Sequence, residues 1–320
     1  MTVLSNDLTI RPLTGSEELS LFNRFPYLLN EEFSRDIADG RRRPSWMWVA
    51  LHGDRLIGRL SWWCRPQDDA PFLLDVFDVV DSPDVDRIDV ARHLLRTASA
   101  ATLAPDAGLP EFLRFLPAGW REDPAEASMV RDLMKVLEGE GYSLLAERLR
   151  FELPSGAPAP RPGGRLRFRG IEDTDEILGL MTRALEGTLD AHDRADLRDK
   201  STEEVAAANF ADEFAEYTTP RSWWRVATLP DGEPVGFVIP ARNAYHPIIA
   251  YIAVLPEHRG HGHIDDLLAE GGRVLREEGE AEYVRAATDL GNGPMAAAFR
   301  RAGYEVLSEL LTMTGERTED

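Results

Sequence analysis

The chain has 320 residues, of which 43% are hydrophobic, so it is long and apolar enough to form two ordinary domains with their own cores. Its formal net charge of −20 at pH 7 argues against binding to nucleic acid or to an anionic membrane surface, and it suits a cationic partner such as a free amine. No apolar run has the length of a membrane span and no cleavable signal segment begins the sequence, so we expect a cytoplasmic protein without a membrane partner. Cys64 is the only cysteine, which excludes internal disulfides and cysteine-based metal clusters.

The first half of the sequence predicts a strand at residues 8–13, a helical stretch and then a β-hairpin. The hairpin spans residues 46–63 and turns at His52-Gly53-Asp54, because Gly-Asp pairs favour tight turns between strands. This half closes with a methionine-containing helix, the pair Gly141-Tyr142 and a final strand. We therefore predict a mixed α/β domain at residues 1–153.

Residues 154–164 are rich in Pro, Gly and Ala and are predicted to form a linker. A second domain of related organisation is predicted at residues 165–320. It has a strand, a helix over residues 174–185 and a hairpin at residues 223–239, with an Asp-Gly pair in the turn. It ends with Gly303-Tyr304 and a strand whose sequence pattern is similar to that at the end of the first half. The chain is therefore predicted to contain two related halves.

Residues 247–279 carry the strongest functional signal in the sequence. An apolar strand up to Val254 is followed by the turn Arg259-Gly260-His261-Gly262-His263, and apolar residues then recur at helical spacing over residues 264–275. A strand, a glycine turn and a helix in this order present several backbone N–H groups to one point. Arg259 adds a fixed positive charge. This arrangement favours the binding of a pyrophosphate.

The turn resembles the acyl-CoA pyrophosphate loop of the GNAT superfamily of N-acyltransferases, whose pattern is Arg/Gln-x-x-Gly-x-Gly/Ala. Arg259 and Gly262 match this pattern, Gly260 is a common addition, and Ile264 departs from it. The resemblance implies two tandem GNAT-like domains, each a twisted, mostly antiparallel sheet flanked by helices. It also implies acetyl-CoA or another acyl-CoA as co-substrate, held where the fourth and fifth strands splay apart.

A second stretch resembles the family pattern N-x-x-A-x-x-x-Y-x-x-x-G-F. Asn292 is suited to cap a helix, and Met295 and Phe299 follow it at helical spacing. In the family the tyrosine often protonates the departing thiolate, but Phe299 occupies that position and cannot donate a proton. Together, the residues predicted to contact the cofactor are Ile252, Ala253, Val254, Arg259, Gly260, His261, Gly262, His263, Ile264, Asn292, Met295 and Phe299.

The corresponding turn of the first half, residues 79–87, contains three aspartates and no glycine. Such a turn repels a pyrophosphate. We therefore predict that the first domain is a degenerate copy that keeps the fold without a cofactor site. Substitutions at Ser82 or Pro83 are then expected to leave cofactor binding unchanged.

Attack of an amine on a thioester needs a base, because an alkylammonium is mostly protonated near neutral pH. Ala250 occupies the position where many GNAT enzymes carry a glutamate base. Two polar loops supply other candidates, which are Asp190, His192, Tyr245 and His246. Helix capping or loop packing explains each of them equally well. The backbone amide of Val254 or Leu255 resembles the one that polarises the thioester carbonyl in the family.

The sequence thus predicts an acyl-CoA-dependent N-acyltransferase that acts on the primary amine of a small molecule, and the resemblance implies an acetyltransferase. Two alternatives stay open. One is a catalytically silent protein that binds acyl-CoA or an amine as a sensor, which Phe299, Ala250 and Ile264 favour. The other is an acyltransferase with a hydroxyl acceptor or with an unusual acyl donor. We expect no metal, and both a monomer and a homodimer are compatible with the sequence.

Overall fold

The computed structural model describes residues 7–81, 85–105, 107–158, 160 and 162–315. The chain divides into two compact units. The first comprises the chain up to Leu145 together with the chain from Glu309 onward, and the second comprises Ala146–Ser308. Residues 82–84 of the acidic turn discussed above, which include Ser82 and Pro83, lie outside the described residues.

The described part of the first half forms six strands and four α-helices. The strands are β1 (Leu8–Pro12), β2 (Met47–His52), β3 (Arg55–Trp63), β4 (Leu73–Val79), β5 (Leu109–Pro117) and β6 (Tyr142–Leu153). The helices are α1 (Leu19–Phe22), α2 (Phe33–Ala38), α3 (Arg87–Thr102) and α4 (Pro124–Glu138). The predicted hairpin is confirmed, because β2 and β3 pair antiparallel from His52↔Arg55.

The second half repeats this series. Its strands are β7 (Arg167–Gly170), β8 (Arg225–Thr228), β9 (Pro234–Arg242), β10 (Pro247–Val254), β11 (Val284–Asp289) and β12 (Glu305–Gly315). Its helices are α5 (Thr174–Ala184), α6 (Ala191–Asp196), α7 (Thr202–Asp212), α8 (His263–Arg273) and α9 (Gly293–Arg301). A further turn at Val274–Glu278 prolongs α8 as far as Gly279, where the helix was predicted to stop.

Each unit is built on one mostly antiparallel sheet. The strand order is β1-β2-β3-β4-β5-β12 in the first unit and β6-β11-β10-β9-β8-β7 in the second. The parallel neighbours among the registered pairs are β4 with β5 and β10 with β11. Helices pack on these sheets around separate apolar cores. The predicted mixed α/β class with mostly antiparallel sheets is confirmed.

The last strand of each half belongs largely to the other unit. β6 pairs antiparallel with β11 from Val284↔Leu153 to Asp289↔Arg148, and β12 from Glu309 onward belongs to the first unit. These units therefore differ from the predicted ranges 1–153 and 165–320. The two final strands have similar apolar patterns, and such a pattern specifies a strand but not the sheet that it joins.

The described residues of the predicted linker, residues 154–164, belong to the second unit and contact its helix α8 and the turn that follows it. Arg276 donates from Nη1 to the Ala157 carbonyl oxygen at 2.6 Å and from Nη2 to the Pro154 carbonyl oxygen at 3.2 Å. Further along, the Gly163 amide donates to the Asp266 carboxylate of α8. The segment therefore connects β6 to β7 within the second unit rather than joining two separate bodies.

A buried ionic group occupies the interior of the first unit. Arg42 is 2% exposed and donates from Nε to Asp36 at 3.0 Å and from both Nη atoms to Asp75 at 2.8 and 2.5 Å. Burial raises the pKa of Asp75, although Arg42 opposes that shift. Because the two carboxylates have lost most of their hydration, the stability of this unit depends on the guanidinium between them.

Candidate active site

Strand β10 leaves its neighbour β11 after one registered position. The parallel pairing of the two strands is at Ile248↔Arg285, whereas β10 stays paired with β9 as far as Val254↔Gly236. The register of β10 against β9 shifts between Ile249 and Tyr251, so a bulge lies at Ala250. The two strands therefore splay apart at the place that the family resemblance predicted.

The splay exposes a backbone edge of β10. Leu255 donates its N–H to the Val235 carbonyl oxygen of the hairpin partner at 2.8 Å. Because backbone groups alternate along an antiparallel strand, the N–H groups of Val254 and Ile252 point the other way, towards β11. An extended ligand that carries amide groups can pair with such an edge as an additional strand.

The predicted glycine turn leads from this edge to the start of α8. Gly260 and Gly262 have φ values of +82° and +74°, a left-handed conformation that favours glycine. Among the described residues, the backbone network provides no acceptor for the N–H groups of Gly260, His261 or Gly262. The first N–H groups of α8 also lack intrahelical acceptors, as at any helix start. These donors, together with the helix dipole, favour an anion.

Arg259 stabilises the turn instead of projecting freely from it. Its Nε donates to the Val254 carbonyl oxygen at 3.1 Å. Its Nη1 and Nη2 donate to the carbonyl oxygens of Glu186 and Ala184, at 2.6 and 2.8 Å. It therefore ties β10 to the C-terminal end of α5, whose carbonyl groups favour a cation. Its charge still lies beside the turn.

A second arginine, which the sequence analysis missed, holds the turn from the other side. Arg165 donates from Nη1 to the His261 carbonyl oxygen at 3.0 Å and from Nη2 to the Gly262 carbonyl oxygen at 3.1 Å. It also pairs at 3.1 Å with Asp266, which is 3% exposed. Because the carbonyl groups are held in this way, the amides of the same peptide units stay directed to the opposite side. Arg165 directly follows the predicted linker and lies outside both sequence motifs of the site.

The open edge and the turn border a cleft of about 920 Å³ in the second unit. Most of the residues predicted to contact the cofactor line it, and these are Ile252, Ala253, Val254, Arg259, Gly260, Gly262, His263, Ile264, Asn292, Met295 and Phe299. Of the predicted catalytic residues, Asp190, His192 and His246 line it. His261 and Tyr245 are not among the lining residues. The structure thus gathers two sequence-distant motifs around one cavity.

The second motif provides a helix start and a packed ring. The Asn292 side chain accepts a hydrogen bond from the Met295 N–H at 3.2 Å, which confirms the predicted cap of α9. Phe299 is 1% exposed and stacks on Phe151 at a centroid distance of 4.9 Å. Packing in the apolar core accounts for Phe299, and its ring offers no proton to a departing group.

Asp190 and His192 are held by an arginine from β6. Arg148 donates from Nη2 to Asp190 at 2.6 Å and lies 3.0 Å from His192 Nδ1. Its Nε also donates to Asp289 at 2.7 Å. Since a guanidinium only donates, His192 Nδ1 is the acceptor, and the hydrogen of the neutral ring is on Nε2. The Asp190 side chain caps α6 by accepting from the His192 and Asp193 amides. Both predicted residues are therefore engaged in fixing this loop.

A nitrogen atom of the His246 ring is also engaged by a cationic side chain. Arg285 lies with Nη1 2.5 Å from His246 Nε2, and the Tyr283 hydroxyl is 3.0 Å from Nδ1. Burial, followed by the charges of Arg285 and Arg150, lowers the pKa of His246 to about 4. The ring is therefore neutral at pH 7, and its Nε2 lone pair already accepts a hydrogen bond. Such a group accepts a proton poorly near neutral pH.

Asp193 is a carboxylate in the cleft that was not among the candidates selected from the sequence. It accepts hydrogen bonds from Thr188 Oγ1 at 3.1 Å and Asn209 Nδ2 at 3.0 Å. Burial, and then the nearby charge of Asp190, raise the pKa of Asp193. A raised pKa brings a carboxylate closer to the range in which it takes up a proton during catalysis.

No group of three or more His, Cys, Asp and Glu side chains among the described residues is arranged to hold a metal ion. No helix in the described part of the chain has the length and apolar character needed to cross a membrane.

Comparisons with known proteins find a similarity to one protein family in the second half of the chain. Residues 189–304 match the model of the acetyltransferase (GNAT) family, a range that contains the cleft, the glycine turn and the Asn292 motif. No curated protein matches the chain significantly. The family match therefore lies within the second half of the chain.

Solved structures extend the likeness of fold to nearly the whole chain. A GCN5-related N-acetyltransferase from Sphaerobacter thermophilus is 18% identical with a TM-score of 0.57, covering 99% of this chain and 98% of that one. A tandem GNAT protein from the clavulanic acid biosynthesis pathway is 20% identical with a TM-score of 0.50, covering 98% and 99%. A GCN5-related N-acetyltransferase from Kribbella flavida is 16% identical with a TM-score of 0.51, covering 90% and 95%. The chain therefore shares its fold with GNAT proteins, one of them a tandem GNAT protein, over nearly its whole length.

Proposed function

We propose that the second unit is an acyl-CoA-dependent N-acyltransferase that transfers an acetyl group to the primary amine of a small molecule. The observation that carries this proposal is the open edge of β10, whose amides lead directly to the donor-rich start of α8. An extended pantetheine chain can pair with the edge while its pyrophosphate binds at the turn. Nothing comparable is proposed for the first unit, which we interpret as a degenerate copy.

The cleft favours direct attack of the amine on the thioester. The Val254 N–H points into the splay and can donate to the thioester carbonyl oxygen as negative charge develops there. Asp193 is the group that we propose as the base, because it lines the cleft and its pKa is raised. A thiol with a reference pKa of about 8.5 can leave as a thiolate, so the absence of an acid at Phe299 is compatible with turnover.

Asp193→Asn tests this assignment. The expected result is a fall in kcat of roughly 10²- to 10⁴-fold with an unchanged Kd for acetyl-CoA, because the amide keeps its size but cannot take up the proton. Asp196→Asn in the same helix, whose carboxylate pairs with Lys200 at 2.9 Å, is the matched control and should keep the kcat of the native protein. Thiol release from acetyl-CoA with a panel of amines is the assay. An Asp193→Asn variant with native kcat would remove Asp193 from the mechanism.

A silent sensor is the second candidate, and the occupied lone pairs of His192 and His246 favour it. The two functions differ in one outcome of the same assay. An enzyme releases thiol above the rate without amine, whereas a sensor binds acetyl-CoA and releases none.

A further inference from the structure

Three histidines lie around the glycine turn at the start of α8. The ring centroids of His261 and His263 are 5.9 Å apart in a stacked arrangement, and those of His258 and His263 are 6.3 Å apart. His258 and His263 line the cleft together with Gly260 and Gly262 of the turn. The three rings therefore form one group, the histidine cluster, in which His263 contacts both of the others.

The neutral rings of the histidine cluster present lone pairs as well as hydrogens. His261 Nδ1 lies 3.3 Å from the His258 carbonyl oxygen, which only accepts, so the hydrogen of the neutral His261 ring is on Nδ1 and its Nε2 is an acceptor. His263 Nδ1 is a buried atom with no hydrogen-bond partner in the described part of the chain. A lone pair repels a phosphate oxygen, whereas a protonated ring has a hydrogen on both nitrogens. The cluster therefore suits an anion better after it takes up a proton.

Charged side chains from three segments surround His263. Arg165, which precedes β7, pairs at 3.1 Å with Asp266 of α8, and Asp265 pairs at 2.7 Å with Arg301 of α9. Burial, and then the charges of Arg165 and of the two other histidines, lower the pKa of His263, while Asp266 opposes this shift. In the free protein the His263 ring is therefore mostly neutral at pH 7.

The charges beside His258 come from other elements. Glu233, in the turn between β8 and β9, lies with Oε1 3.2 Å from His258 Nε2, and its side chain is 53% exposed. Glu257 pairs with Arg183 of α5, and Arg259 donates to the carbonyl groups at the end of that helix. Carboxylates and guanidinium groups of this kind keep their charge near pH 7, whereas an imidazole can change its charge there.

We propose that the histidine cluster couples the binding of acyl-CoA to the uptake of one proton from the solvent, and that His263 gains this proton when phosphate occupies the turn. This inference rests on the proposed function and specifies the regulation of the same site. A phosphate beside the ring stabilises its charged form, so the pKa of His263 is higher in the complex than in the free protein. By linkage, the affinity for acyl-CoA is then highest at low pH and falls as the pH rises through the pKa of the complex.

Titration calorimetry with acetyl-CoA at pH 6.5 and pH 8.5 tests the coupling. A phosphomonoester has a second pKa of about 6, so the ligand stays mostly ionised in this range. We expect the Kd to be about 5- to 10-fold lower at pH 6.5, because a pKa rise of about one unit on one histidine corresponds to a tenfold change in affinity. Near pH 7, buffers of different ionisation enthalpy should reveal an uptake of roughly half a proton or more. Equal Kd values without proton uptake would overturn the proposal.

Substitutions assign the proton to one ring. His263→Gln cannot gain a charge and should bind with the weaker affinity at both pH values. His263→Lys is charged at both and should bind with the tighter affinity at both. His93→Gln, at an exposed histidine of α3 in the first unit, is the matched control and should keep the native pH dependence. A native pH dependence in His263→Gln would contradict the assignment to His263.

Titration with inorganic pyrophosphate, followed by NMR of the histidine rings, separates this inference from the proposed function. If no amine is acetylated but pyrophosphate raises the pKa of His263, the enzyme proposal fails and the proton-linked site stands. If amines are acetylated while the Kd for acetyl-CoA and the pKa of His263 do not respond, the enzyme proposal stands and this inference is refuted.

Discussion

Gly236→Ala tests the close contact that positions the open edge of β10. Gly236 is buried in β9, opposite Val254. A Cβ atom added there would stand 2.3 Å from the Ala253 carbonyl oxygen and 3.1 Å from Val254 Cα. Ordinary contacts of carbon are about 3.5 Å or longer, so β10 must move by roughly 1 Å to admit the methyl group.

Overpacking of this kind costs about 1–3 kcal/mol of unfolding free energy. At ~2–4 °C per kcal/mol for a unit of this size, the midpoint of thermal unfolding should fall by about 2–12 °C. The displaced strand also carries the amides that we assign to pantetheine. Loss of one or two such hydrogen bonds at about 1 kcal/mol each should weaken acetyl-CoA binding by roughly 5- to 30-fold.

Scanning calorimetry and isothermal titration with acetyl-CoA measure the two effects. Gly179→Ala is the control, because a Cβ atom at this exposed position in α5 meets nothing within 4 Å. Replacing a helix-interior glycine there should raise stability by about 0.5–1 kcal/mol without changing the affinity. A Gly236→Ala protein with native stability and native affinity would refute the account of β10.

Three further predictions concern charges. Arg42→Met should lower the unfolding free energy in urea by about 3–5 kcal/mol because it leaves two buried carboxylates without their cation, whereas Arg35→Met on the exposed side of α2 should cost less than ~0.5 kcal/mol. The pKa of His246 is about 4 in the folded protein against an ordinary 6.5, so the unfolded chain takes up the proton first. The neutral ring of His246 therefore contributes on the order of 1–2 kcal/mol to the free energy of unfolding after solvent screening. This contribution is fully present above pH 6.5 and is lost as the pH falls towards 4, so His246→Asn should flatten the dependence of the unfolding free energy on pH in this range. Arg165→Gln should weaken acetyl-CoA binding by about 10-fold because the carbonyls of the turn lose their donors, while Arg167→Gln should not, as titration calorimetry can show. Native affinity in Arg165→Gln would mean that the turn keeps its shape without this clamp.

Local chemistry made much of the second half predictable. The glycine turn between an apolar strand and an amphipathic helix is specified by residues close in sequence, and β10 and α8 have the predicted positions. The Asn292 cap and both hairpins follow from side chain-to-backbone hydrogen bonds and turn preferences that act over a few residues. Such features can be predicted without the tertiary structure.

The contribution of β6 to the cleft was not predictable in the same way. Arg148 and Arg150 stand in the last strand of the first half, which the predicted boundary at residue 153 assigned to the degenerate domain. Their alternation in that strand is visible in the sequence, but the sheet that receives the strand is decided by long-range pairing with β11. The cleft residues contributed by β6 were missed for this reason.

The candidate bases illustrate a second limit. The sequence places Asp190, His192 and His246 in polar loops, and all three line the cleft. It does not reveal that Arg148 and Arg285 occupy their acceptor atoms, because those contacts join residues far apart in the chain. The protonation behaviour of a side chain depends on such neighbours more than on its own sequence context.

Titration calorimetry with acetyl-CoA tests the central claim most directly. The account predicts one site per chain, with an affinity that decreases in Gly236→Ala and in Arg165→Gln and stays native in Gly179→Ala. No binding of acetyl-CoA or of longer acyl-CoAs to the native protein would show that Ile264 closes the turn to the pyrophosphate, and it would contradict the account.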